Sequence, residues 1–162
     1  MANAGVIGAG SWGTALSVLL HKNGHQVTVW SIDENEVKML NEKREHESKL
    51  PGVKIPQDMV ITGDLEETVR GRDFLVMAVP SPFTRTTARK MKPYVAEGQI
   101  IVDVAKGIEE DTLLTLSRQI EEEIPQADVA VLSGPSHAEE VGRGLPTTCV
   151  IGAKTKETAE YL

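Results

Sequence analysis

Six residues near the N-terminus, Gly8-Ala9-Gly10-Ser11-Trp12-Gly13, constrain this chain more than any other feature. A G-x-G-x-x-G string is weak evidence by itself, because it is short and glycine is common. Here it directly follows an apolar run, Ala4 to Ile7, and opens the segment Ser11 to Asn23. In that segment Ala15, Leu16, Leu19 and Leu20 recur at helical spacing, and Gly24 ends it. A second strand-like run, Gln26 to Trp30, comes next, and Asp33 stands about 20 residues after the last glycine. Strand, glycine turn, helix and second strand in that order make a unit suited to a dinucleotide pyrophosphate. Gly8 permits the sharp turn, Gly10 keeps a side chain away from the phosphates, and Gly13 lets the helix pack close to the strand. The helix N-terminus then offers free N–H groups and a partial positive charge. Trp12 has two readings of equal weight: packing inside the turn, or covering the phosphates through its backbone N–H.

The rest of the chain alternates short apolar runs with helix-period segments. Asp33 is placed to cap a second helix, with Glu36 completing a capping box and Val37, Met39 and Leu40 facing inward. Residues 43–58 are charged and hold Pro51 and Pro56, so they read as an exposed loop. Strands are expected at Met59–Ile61, Phe74–Val79, Ile100–Val104, Val129–Leu132 and Thr147–Ile151. Helices are expected at Asp64–Arg70, after Pro80-Ser81-Pro82 to about Lys92, and from Asp111 to about Glu123, with Thr155 capping another. The unbroken run Phe74–Val79 suits a central strand covered on both faces. The pattern predicts a single α/β domain of the Rossmann type, a doubly wound and mostly parallel sheet.

A length of 162 residues fits one such domain. The net charge of −7, spread along the chain, argues against a nucleic-acid partner, which needs a basic field. A bound phosphate must therefore be held by a local site. The single Cys149 excludes an internal disulfide and fits a reducing cytoplasm. Lying in the run Thr147–Ile151, it is expected to be buried as a small hydrophobe. No window approaches the ~18 apolar residues of a spanning helix, and the N-terminus has no signal-peptide pattern, so no membrane partner is expected. His21, His25, His46 and His137 show no metal-ligand spacing, and no metal is expected.

In open parallel sheets, ligands gather beyond the carboxyl ends of the strands. Three segments leave such ends: Val79-Pro80-Ser81, Ala105-Lys106-Gly107 and Ser133-Gly134-Pro135-Ser136. Lys106 offers charge to a phosphate or carbonyl, Gly134 a close backbone approach and Ser136 a hydroxyl. Each is equally readable as an ordinary turn residue, and His137 as a packed one. After the second strand, Ser31-Ile32-Asp33 occupy the place of adenosine-ribose recognition. A carboxylate there favours NAD and an arginine NADP. Asp33 is also a helix cap, no arginine is near, and the residues leave the choice between NAD and NADP open.

The chain resembles the bacterial-type NAD(P)-dependent glycerol-3-phosphate dehydrogenases over essentially its whole length. The resemblance rests on Gly8 to Ala15, Ala78-Val79-Pro80-Ser81, Lys106-Gly107-Ile108-Glu109, Leu132 to Val141 and Gly144-Leu145-Pro146-Thr147, in that order and spacing. It implies that Ser11 and Trp12 contact the cofactor phosphates, Ile32 and Asp33 the adenosine ribose, and Lys49 the cofactor nearby. Lys106 would touch cofactor and substrate, Gly134 and Ser136 the glycerol phosphate, and Ala138 the cofactor again. It also implies reversible hydride transfer between sn-glycerol 3-phosphate and dihydroxyacetone phosphate, supplying glycerophospholipid synthesis. The implied proton carrier is a lysine of a C-terminal helical domain through which relatives dimerise. No residue up to Leu162 matches that lysine, so no catalytic residue is expected within the chain, which reads as the cofactor-binding half of an enzyme. A nucleotide-sensing module and a dehydrogenase of another substrate are the competing readings. The Gly134-Pro135-Ser136-His137-Ala138-Glu139-Glu140 segment argues against the second.

Overall fold

A computed structural model describes residues 1–162. Seven strands form the main sheet: β1 (Asn3–Ile7), β2 (Gln26–Trp30), β5 (Val60–Thr62), β6 (Phe74–Met77), β7 (Ile100–Asp103), β8 (Asp128–Ser133) and β9 (Val150–Gly152). Their order is β5-β2-β1-β6-β7-β8-β9, parallel throughout except that β9 runs antiparallel to β8. The helices are α1 (Ser11–Lys22), α2 (Glu34–Lys43), α3 (Leu65–Val69), α4 (Thr84–Met91), α5 (Leu116–Glu123), α6 (Ala138–Gly142) and α7 (Lys156–Tyr161).

The two-residue period of the strands divides the core into two layers. Val6 and Val76 enter one layer, with Leu16, Leu40, Leu50 and Val53 from the elements covering that face. Ile7, Leu75 and Met77 enter the other, with Val69, Met91, Ile120 and Ile124 from α3, α4 and the α5 end. Because β1 lies between β2 and β6, the chain reverses direction across the sheet there, and the turns after β1 and β6 open a crevice. That crevice positions the candidate site.

Several segments depart from the expectations drawn from sequence, each for a tertiary reason. Residues 43–58 are not an exposed loop. They form a hairpin, β3 (Glu45–His46) with β4 (Leu50–Lys54), and His46, Leu50, Val53 and Ile55 are buried. The charges that suggested exposure pair among themselves, Lys43 with Glu47 and Lys54 with Glu45, while the apolar residues face the core. Pro51 is tolerated in an edge strand of two. The α5 helix starts at Leu116, capped by Thr115, rather than at Asp111. Before it, Ile108 bridges to Thr115 and Glu109 is held by Arg85, so the segment folds back. Leu19 is exposed rather than inside, because it borders an open hollow beside α1, while Ser17 and Val18 are buried. Strand β9 is short and at the sheet edge, and Cys149 beside it is exposed rather than buried. No helix is long and apolar enough to cross a membrane.

Candidate functional site

The turn between β1 and α1 is shaped by its glycines. Gly8 has φ +115°, a backbone region that side-chain-bearing residues rarely adopt, and its N–H donates to Trp30 O at 2.9 Å. At Gly13 a Cβ would lie 2.0 Å from the Gly8 carbonyl oxygen, so only glycine lets the helix approach its own strand. Gly10 differs from both. A Cβ there would meet no protein atom within 4 Å, and the vacant direction belongs to a cleft.

Gly10 caps α1 without a side-chain bond, and no acidic residue stands in the first turn. The amides of Ser11, Trp12 and Gly13 therefore donate to nothing within the protein, which leaves an array of N–H groups at a helix N-terminus. The Trp12 indole Nε1 donates to Val104 O at 3.2 Å, tying the turn to the end of β7. Its side chain packs, while its backbone N–H stays free.

The cleft has a volume of about 520 Å³ and is bounded by Gly10 to Trp12, Ala78 to Ser81, Val104 to Lys106 and Ser136 to Glu139. Lys106 Nζ donates to Gly134 O at 3.1 Å, and the same carbonyl accepts the Ser136 N–H at 2.9 Å. Gly134 has φ +155°, and a Cβ there would sit 2.6 Å from Thr148 O. Lys106, Gly134 and Ser136 thus meet at one corner, and Ala138 begins α6 beside it. A further hollow of about 370 Å³, between α1 and the C-terminal residues, is walled by Leu16, Leu20, Phe74 and Leu162. It presents no donor array and does not suit a phosphate.

Arg85 braces the loop that follows Lys106. Its guanidinium forms paired bonds to Glu109 at 2.7 and 2.8 Å and reaches Glu122 and Glu123. The bond from Arg85 chiefly holds the Glu109 carboxyl down at about 2. At the end of β7, Asp103 is buried, and burial pushes its carboxyl up to about 6 despite a bond from the Ala105 N–H.

Ile32, Asp33 and Lys49 do not line the cleft. They lie in a separate corner beyond β2. Ile32 is exposed, and Asp33 caps α2 through Oδ1, which accepts from Asn35 N at 2.9 Å and Glu36 N at 3.4 Å, while Oδ2 has no protein partner. The expected capping box is only half present. The Glu36 carboxylate turns away from the cap and binds Ser31, His46 and Lys49. Sequence reading missed Glu36 and His46 as parts of this corner, because the pairing of Glu36 with Lys49 spans 13 residues and follows no local period. Glu36 stands on α2 and Lys49 in the turn between β3 and β4, so no local signal joins them.

Residues 3–159 match the model of the family described as NAD-dependent glycerol-3-phosphate dehydrogenase N-terminus. The chain belongs to this family. Among its relatives, a glycerol-3-phosphate dehydrogenase [NAD(P)+] from Agathobacter rectalis is 65% identical over 162 residues, covering 100% of the chain and 48% of that protein. One from Fusobacterium nucleatum is 51% identical, with 100% and 49% covered. The crystal structure of glycerol-3-phosphate dehydrogenase from Coxiella burnetii superposes with a TM-score of 0.92 at 28% identity, covering 99% of the chain and 49% of that structure. The chain spans about half the length of the curated relatives it matches.

Proposed function

We propose that this domain binds NAD or NADP across the cleft and serves an enzyme that interconverts sn-glycerol 3-phosphate and dihydroxyacetone phosphate. The observation that carries the reading is the unpartnered array of amides at Ser11, Trp12 and Gly13, set where Gly10 leaves open space. Such an array suits a pyrophosphate in a chain whose net charge is −7. Asp33 Oδ2 is free to accept from ribose hydroxyls. The nicotinamide, when bound, supplies hydride acceptance and donation. Ala138 and the Val79-Pro80-Ser81 turn wall the cleft beyond the phosphates, and Lys106, Gly134 and Ser136 receive the glycerol phosphate.

Lys106 contributes charge and hydrogen bonds there, while its Nζ is already committed to the Gly134 carbonyl. Proton transfer and most of the substrate-phosphate surface are assigned to the other half of such relatives, as is homodimer formation, and the reaction is placed in the cytoplasm. The test follows nicotinamide absorbance with dihydroxyacetone phosphate for this chain and for one extended to the full length of its relatives. General acid–base assistance is worth about 10²–10⁴-fold, so the 162-residue chain is expected to stay near background while still binding cofactor. Comparable turnover would place a complete catalytic site within these residues.

A further inference from the structure

We propose that Glu36 selects NAD over NADP by engaging Lys49, the cation at the ribose corner that would otherwise meet a 2′-phosphate. This rests on the reading of the β2–α2 loop as the ribose corner.

The Glu36 side chain is only 12% exposed, yet all its bonds are made by side chains. Oε1 accepts from Lys49 Nζ at 2.5 Å and from His46 Nε2 at 2.9 Å, and Oε2 accepts from Ser31 Oγ at 2.5 Å. The Lys49 backbone N–H points at His46 Nδ1 at 3.4 Å. An amide can only donate, so Nδ1 accepts and Nε2 carries the proton given to Glu36. Burial pushes the Glu36 carboxyl up, but the bonds from Lys49, Ser31 and His46 outweigh it and hold the group below its ordinary value.

The network continues into the loop itself. Ser31 Oγ, which donates to Glu36, accepts from Asp33 N–H at 3.2 Å. Lys49, Glu36, Ser31 and Asp33 are thus one chain of bonds, and the loop's shape depends on the carboxylate at its centre. The charges sum unfavourably for a 2′-phosphate. Two carboxylates, Asp33 and Glu36, face one ammonium, and that ammonium is already bound. The neighbouring cations are engaged as well: Lys38 with Glu42, Lys43 with Glu47, Lys54 with Glu45, and Arg44 with the carbonyls of Pro56 and Met59. A free 2′-hydroxyl, by contrast, finds the spare Oδ2 of Asp33.

The experiment measures dissociation constants of NADH and NADPH by calorimetry at one ionic strength, for the chain and its variants. The wild type should prefer NADH. Glu36→Gln keeps the side chain's shape and frees Lys49, and should improve NADPH relative to NADH by at least about fivefold. Adding Lys49→Ala to that variant should abolish the gain, a result that a general loosening of the loop would not produce. Lys49→Ala alone, at a half-exposed side chain, should widen the preference for NADH by no more than about threefold, as expected for a screened charge. A tenfold widening would show that Lys49 already reaches the phosphate, and would overturn the proposal even if Glu36→Gln failed to fold. An unchanged ratio in folded Glu36→Gln, with NADH still bound, overturns the proposal and spares the cofactor reading. Failure of the wild type to bind either nucleotide overturns both.

Discussion

In the Gly8–Gly13 turn, the groups offered to the cleft are backbone amides of consecutive residues. In the Lys106–Gly134–Ser136 corner they come from two strand ends 28 residues apart and include an ammonium and a hydroxyl. The turn is held by backbone contact, since the space between helix and strand admits no Cβ at Gly13. The corner adds side-chain bonds to its backbone, although Gly134 also admits no Cβ. Arg85 braces one loop, and the Gly134 carbonyl accepts from Lys106 Nζ as well as from the Ser136 N–H. A turn made of backbone tolerates side-chain changes where a Cβ finds space, as at Gly10, and fails where a Cβ meets backbone, as at Gly13. A corner built partly of side chains depends also on charge, and beside it the buried Asp103 at the end of β7 brings a dependence on pH.

The largest effect should come from Gly13→Val. With a Cβ placed 2.0 Å from the Gly8 carbonyl, urea denaturation should register a loss above about 3 kcal/mol, the upper end for overpacking. Near-wild-type stability would mean the turn can open freely, and the contrast with the corner would collapse.

Asp103 sharpens the other side of the comparison. Its carboxyl rises from 3.8 to about 6 on folding, so the native state holds its proton more tightly than the unfolded chain does. Stability from this group is intact below about pH 4 and is lost as pH rises through about 6. Asp103→Asn should therefore stabilise the protein near pH 7.5 by up to about 3 kcal/mol, with the gain shrinking towards pH 4. Thermal melts across that range would check it; a gain independent of pH would rule out titration as the cause.

Gly10→Val should give the smallest change, and one confined to binding. Its side chain enters open cleft, so the melting temperature should hold while nucleotide affinity falls more than about tenfold, above ~1.4 kcal/mol. Unchanged affinity by calorimetry in the folded variant would remove the phosphates from this turn. Together the two glycine variants separate fold from function within a single motif.

The sequence by itself determined the parts of this protein whose causes lie within a few residues. The Gly8–Gly13 turn, the Asp33 cap and the central strand from Phe74, expected to reach Val79 and ending at Met77, follow from apolar patterning, backbone freedom and local hydrogen bonding, and were legible without coordinates. The resemblance carried in Lys106, Gly134 and Ser136 named the corner, but the residues alone left each of them an ordinary turn. Only the tertiary structure decided that Lys106 reaches the Gly134 carbonyl, that the charged hairpin at Glu45–Lys54 turns Leu50 and Val53 inward, and that Glu36 leaves its capping box for Lys49 and His46. It also decided that Cys149 stays exposed beside an edge strand. The physical reason is common to these cases. Burial and ion pairing depend on which distant surface covers a residue, and no local period records that surface.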